Sequence, residues 1–173
     1  WPSPRPDDEG CSLVVDALRE VGAGAGRIGV PMGPETTLRM PLADFRGLED
    51  TLAGACFVDA TGLLRDLRMV KSEAEIAKIA HACQIASDAF DAVPRLARTG
   101  QPLAETFRAF KVELLQQGAD DAAYLVGGAA PGGYDDIIAP PDERPLADGD
   151  VLMMDTGAVH DGYFCDFDRN FAI

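Results

Sequence analysis

The segment from Val151 to Ile173, VLMMDTGAVHDGYFCDFDRNFAI, places the tightest constraint on the fold. Two runs rich in strand formers, VLMMDTGA and YFCDFDRNF, flank the Asp161–Gly162 pair that tight turns favour, so an antiparallel hairpin is expected. With a four-residue loop over VHDG, Ala158 faces Tyr163 and Asp155 lies directly opposite Asp166. Opposed residues have Cβ atoms only about 4.5–5.5 Å apart, and two carboxylates so placed repel. Alternation puts Asp168 on the face of Asp166 and turns Cys165, Phe167 and Arg169 to the other. One face of the hairpin is therefore carboxylate-rich and the other apolar. A proton shared by the pair, an arginine such as Arg144 or Arg169, or a bridging divalent metal could each relieve the repulsion.

Upstream, SLVVDALREVGAGAG (12–26) reads as a helix running into a glycine-rich stop, after a polar, proline-rich opening of ten residues. RIGVP (27–31) and CFVDA (56–60) fit two strands around a helix or loop at PLADFRGLEDTLAG. GAGRIG matches the bare spelling of a dinucleotide loop. Its glycines follow a helix and lead into a strand, the reverse of the fingerprint's context, so they read as a turn. Ser72 with Glu75 three residues on forms a capping box, so a helix is expected from there to Pro94. Its expected inward face is Ile76, Ile79, Ala80, Cys83, Ala86 and Phe90, with His81 on the surface. A second helix is expected over 103–117, ended by Gly118 and turning Phe107, Phe110, Leu114 and Leu115 inward. From Tyr124 the pattern changes to strands and glycine-rich loops, and GGAAPGGYDD lacks the lysine of a P-loop.

The chain's formal charge is −14, which argues against nucleic-acid or anionic-membrane partners because like-signed fields repel. No apolar stretch approaches the roughly 20 residues that span a bilayer, and the opening residues lack the features of a secretory signal; a soluble, cytoplasmic protein is expected. Cys11, Cys56, Cys83 and Cys165 are too dispersed for a zinc knuckle or a disulfide framework and read as buried free thiols. The chain opens on Trp1 without an initiator methionine and ends inside an expected strand, so it reads as a piece of a longer protein.

The run LADGDVLMMDTGAVHDGYFCDFDRNF resembles the first metal-binding hairpin of the pita-bread metallohydrolases, the family of methionine aminopeptidase, aminopeptidase P, prolidase and creatinase. The matching positions are Gly149–Asp150, Asp155, Gly157, Gly162–Tyr163 and Asp166, the last lying eleven residues after Asp155. LRMVKSEAEIAKI and FVDATGLLRDLR are similar to the junction between the N-terminal and catalytic domains in the aminopeptidase P and prolidase branch. The resemblance implies an α/β N-terminal piece over residues 1–68, from a creatinase-like N-terminal domain. An α+β region over 69–173 would follow, the first half of a pita-bread catalytic domain. It further implies two divalent metal ions, with Asp155 and Asp166 among five ligands and Asp166 bridging both. A His and two Glu would come from beyond Ile173. Two such ions can acidify a bridging water and polarise a scissile carbonyl. Manganese is the expected metal, and iron, cobalt, zinc or magnesium would also suit the site.

The implied protein is a homodimeric hydrolase resembling Xaa-Pro aminopeptidase and prolidase, acting on a small-molecule or dipeptide-like substrate. Two departures bear on specificity. Counting back 17 or 18 residues from Asp155, where the family's peptidases carry a His, lands on Ile138 or Ile137. Asp135, Asp136 and Tyr134 are the nearest polar side chains, and His160 sits too far along the hairpin to substitute. No catalytic acid or base is therefore assigned. The second strand reads Asp166–Phe167–Asp168–Arg169 where the family has Asp-x-Thr-Arg, so Asp168, like Tyr134, is an accessory candidate. Two alternatives stay open: a non-peptidase hydrolase or lyase acting on a small osmolyte-like molecule, and a binding remnant without catalysis.

Overall fold

The structure, a computed structural model, describes residues 8–173; most of the proline-rich opening lies outside them. The chain is a mixed α/β protein that divides into two compact units between Val70 and Lys71.

In the first unit, helix α1 (Cys11–Glu20) leads through a 3-10 turn at Ala23–Ala25 into strand β1 (Arg27–Val30). Helix α2 (Leu42–Thr51) then returns the chain to strand β2 (Cys56–Asp59), which pairs parallel with β1, and helix α3 (Thr61–Met69) follows. The glycine-rich segment is the helix-to-strand turn that its context required. Val15, Leu48 and Leu52 form a small core, with Phe57 packed against it and edge-on to Phe45.

The second unit is larger. Ser72 caps helix α4 (Glu73–Asp91): its hydroxyl accepts from the Glu75 N–H, while the Glu75 carboxylate accepts from the Ser72 N–H at 2.7 Å. This reciprocal pairing satisfies two amides that the first turn would leave unbonded. Pro94 then opens a short helix α5 (Val93–Leu96), and helix α6 (Leu103–Gln116) stops before Gly118, whose φ of 105° suits a residue without Cβ. Strands β3 (Asp121–Pro131), β4 (Asp150–His160), β5 (Tyr163–Phe164) and β6 (Phe167–Ala172) form one antiparallel sheet. β4 is central, with β3 on one side and β5 and β6 in turn on the other. Helices α4 and α6 pack against β4 and β3. Phe90, Phe110, Leu114, Leu152, Met154 and Ala158 lie in the resulting core, and Phe171 stacks on Phe90.

Several expectations need correction. The buried stripe of α4 is Ala82, Ile85, Ala86, Ala89 and Phe90, whereas Ile76 and Ala80 are exposed. Small alanines let the helix backbone lie close to its neighbours, and weighting the larger Ile residues rotated the expected face. Leu115 is 47% exposed, although Phe107, Phe110 and Leu114 are buried as expected. Among the cysteines only Cys165 is buried, and Cys56 is exposed. The largest correction concerns the hairpin. Its loop is the two residues Asp161 and Gly162, with φ of 48° and 79°, the left-handed pair that a type I′ turn demands. His160 thus closes strand β4 opposite Tyr163 instead of sitting in the loop. The tighter turn moves the register by two residues, so Asp155 lies directly opposite Asp168 and not Asp166. A two-residue shift preserves alternation, and each side chain stays on its expected face.

Candidate metal centre

Alternate residues of β4 meet different surroundings. Leu152, Met154, Thr156 and Ala158 are fully buried, three of them in the core built with the helices, while Asp155 points from the other face. Alongside β4, Cys165 between β5 and β6 reaches the Ala82 carbonyl of α4, and the guanidinium of Arg169 on β6 lies 5.7 Å from the Phe90 ring centre and 5.0 Å from that of Phe167. These residues take the helix side, which leaves Asp155, Asp166 and Asp168 together on the open side.

What joins the first two is Tyr124, a residue the sequence did not single out for the site. Its phenol donates to Asp155 Oδ1 at 3.1 Å and also meets Asp166 Oδ1. Two local features bring it there. β3 pairs Ala122 with Ala158 but Tyr124 with Gly157, so a bulge at Ala123 inserts one residue and turns Tyr124 onto the carboxylate face. Without it, alternation would aim Tyr124 at the helices. Gly157 then provides the room: a Cβ there would stand 3.1 Å from Tyr124 Cε1 and 2.3 Å from the Cys165 carbonyl oxygen. Neither a bulge nor a ring crossing a glycine has a signature in one sequence.

The electrostatics follow from this geometry. Burial first, and then the bonds to Asp166 and Asp155, push the Tyr124 phenol well above its ordinary pKa, so it keeps its proton. That single proton serves two acceptors. Arg169 is turned to the other face, and Arg144 lies 3.9 Å from Asp150; among the described residues neither forms an ion pair with Asp155, Asp166 or Asp168. The carboxylate face is thus short of positive charge, and its oxygen donors suit a hard divalent cation. The donors fit such an ion, but the shell is incomplete. Among the described residues no group of three or more His, Cys, Asp or Glu side chains is arranged to hold a metal.

The remaining candidates lie apart from this face. Tyr134 is half-buried in the segment between β3 and β4 and has no hydrogen bond to Asp155 or Asp166 among the described residues. Ile137 and Ile138, 57% and 73% exposed, occupy the same segment. His160 takes the helix side, where its ring meets His81. Among the described residues no helix is long and apolar enough to cross a membrane.

Comparison with known proteins agrees with this architecture. The chain is 31% identical over 146 residues to the probable dipeptidase PepE of Mycobacterium tuberculosis, a match covering 84% of this chain and 38% of that protein. The structure superimposes on dipeptidase PepE from Mycobacterium ulcerans with a TM-score of 0.72 at 30% identity, covering 97% of this chain and 43% of that one. It superimposes on an X-Pro aminopeptidase from Thermotoga maritima MSB8 with a TM-score of 0.76 at 21% identity, covering 95% and 44%, a likeness of fold. The chain therefore spans less than half the length of the relatives it matches. The profile of metallopeptidase family M24 matches residues 77–173, more than half of the sequence and all of the carboxylate-bearing sheet, and the chain belongs to that family.

Proposed function

We propose that this chain is part of a dinuclear metal-dependent hydrolase that cleaves an amide bond in a small, dipeptide-like substrate of the Xaa-Pro type. The observation that carries the reading is the convergence of Asp155 and Asp166 on one hydroxyl, on a face with no compensating cation among the described residues. In this reading Asp155 and Asp166 would be two of the metal ligands, with Asp166 shared between the ions. When bound, two divalent ions, manganese first among the candidates, supply Lewis-acid polarisation of the scissile carbonyl and lower the pKa of water. Tyr124 holds the two carboxylates in register, and Asp168, opposite Asp155, adds negative charge beside them. Residues 1–68 are proposed to belong to a creatinase-like N-terminal domain and 69–173 to the first half of the catalytic domain, in a cytoplasmic homodimer.

A second reading keeps the metal and changes the substrate. Ile137 and Ile138 are exposed apolar residues where the family's peptidases carry an imidazole, so proton transfer from that position is unavailable. A non-peptidase hydrolase or lyase acting on a small osmolyte-like molecule fits that substitution.

Metal analysis of the whole protein carrying Asp166→Asn tests the shared premise. The expected outcome is a folded protein that no longer retains metal, and unchanged metal content would remove Asp166 from the ligand set. Product analysis on Xaa-Pro dipeptides against cyclic amidines and sulfonium compounds separates the two chemistries.

A further inference from the structure

The helix-packed side of the hairpin ends in a pair of imidazoles. The chain has two histidines, His81 on α4 and His160 at the end of β4, and the fold sets their rings against each other with centroids 4.4 Å apart and planes at 68°. His160 Nδ1 is buried without a hydrogen-bond partner. A ring nitrogen shielded from water and left unbonded is costly, and such an atom calls for an unseen partner. His81 is exposed, so the pair can be reached from solvent.

The surroundings favour a cation over a second proton donor. The Lys78 ammonium is committed to Asp161 at 2.6 Å, and the Asp161 N–H donates to the Asp120 carboxylate at 2.6 Å. Glu75 accepts from the Tyr163 hydroxyl at 3.0 Å on the same side of the hairpin. Three carboxylates thus stand around the turn with one ammonium among these contacts. Neutral imidazoles prefer borderline metals such as Zn²⁺, Ni²⁺ and Cu²⁺. With metal–nitrogen distances of about 2.0–2.1 Å, two rings bound to one ion have centres roughly 4–5 Å apart, so this edge-to-face pair is close enough to share an ion once its rings turn toward it.

We propose that His81 and His160 together chelate one borderline divalent transition-metal ion at the hairpin tip, a site separate from the carboxylate face and built on nitrogen instead of oxygen donors. Bound there, the ion would tie β4 to α4.

Calorimetric titration of the full chain with Ni²⁺, in an Asp155→Asn/Asp166→Asn background that removes the proposed dinuclear centre, tests the assignment. One equivalent is expected to bind, and adding His81→Gln should weaken binding at least tenfold, as should adding His160→Gln. His81 is an exposed helix position, so its variant keeps the test open if His160→Gln disturbs the hairpin; circular dichroism checks each fold. Absence of Ni²⁺ binding in the background protein, or binding that survives His81→Gln unchanged, overturns the proposal.

Discussion

Leu152 and Asp155 belong to one strand and meet opposite conditions. Leu152 is fully buried in the core formed with α4 and α6, whereas Asp155 lies on a face with Asp166 and Asp168, where one phenolic proton serves Asp155 and Asp166 and no arginine or lysine among the described residues pairs with any of the three. The first environment stabilises the fold by removing apolar surface from water. The second opposes it, since like charges set across a strand pair repel. A sheet can carry such a face only because its other face is well packed, so removing a core ring should destabilise the chain whereas removing one of the opposed carboxylates should stabilise it.

The largest effect is expected on the packed face. Phe110→Ala, at a fully buried ring packed 4.8 Å from that of Phe90, should destabilise the chain by about 3–5 kcal/mol in urea unfolding. Gly157→Ala tests the seam between the faces. Its Cβ would meet the Cys165 carbonyl oxygen at 2.3 Å, so strand and phenol must shift, with an expected loss of about 1–3 kcal/mol in the same assay. An unchanged midpoint would show that the strand gives way freely there. Tyr124→Phe should lower stability by about 0.5–1.5 kcal/mol, because Asp155 and Asp166 lose their shared donor. A rise instead would mean that water serves the carboxylates as well as the phenol does. Asp168→Asn should do the reverse and stabilise the metal-free chain by about 0.2–1 kcal/mol, since it removes the charge directly opposite Asp155. That gain should shrink in high salt, and a gain independent of salt would point away from charge repulsion.

The parts of this molecule legible in its sequence were those governed by local chemistry. The Ser72–Glu75 box announced α4, Asp161–Gly162 announced the hairpin, and alternation separated Asp155, Asp166 and Asp168 from Cys165, Phe167 and Arg169. Loop length was not legible, because Val159 and His160 suit either a strand end or a longer turn, and so the partner of Asp155 was misassigned. Tyr124 was missed for a physical reason: its face depends on one inserted residue at Ala123, which changes no residue type. The contact between His81 and His160 was equally hidden, since it arises where a helix crosses a strand end and follows no sequence spacing.

The position of β6 gives Asp168 a further consequence. Among the described residues this strand pairs with β4 alone, and wherever its outer edge is left uncovered the backbone groups there are open to a passing strand. Asp168, Arg169 and Asn170 stand exposed at consecutive places along that edge, where charged side chains discourage a second chain from adding on. The substitution expected to raise the stability of the single molecule would therefore also weaken its guard against aggregation.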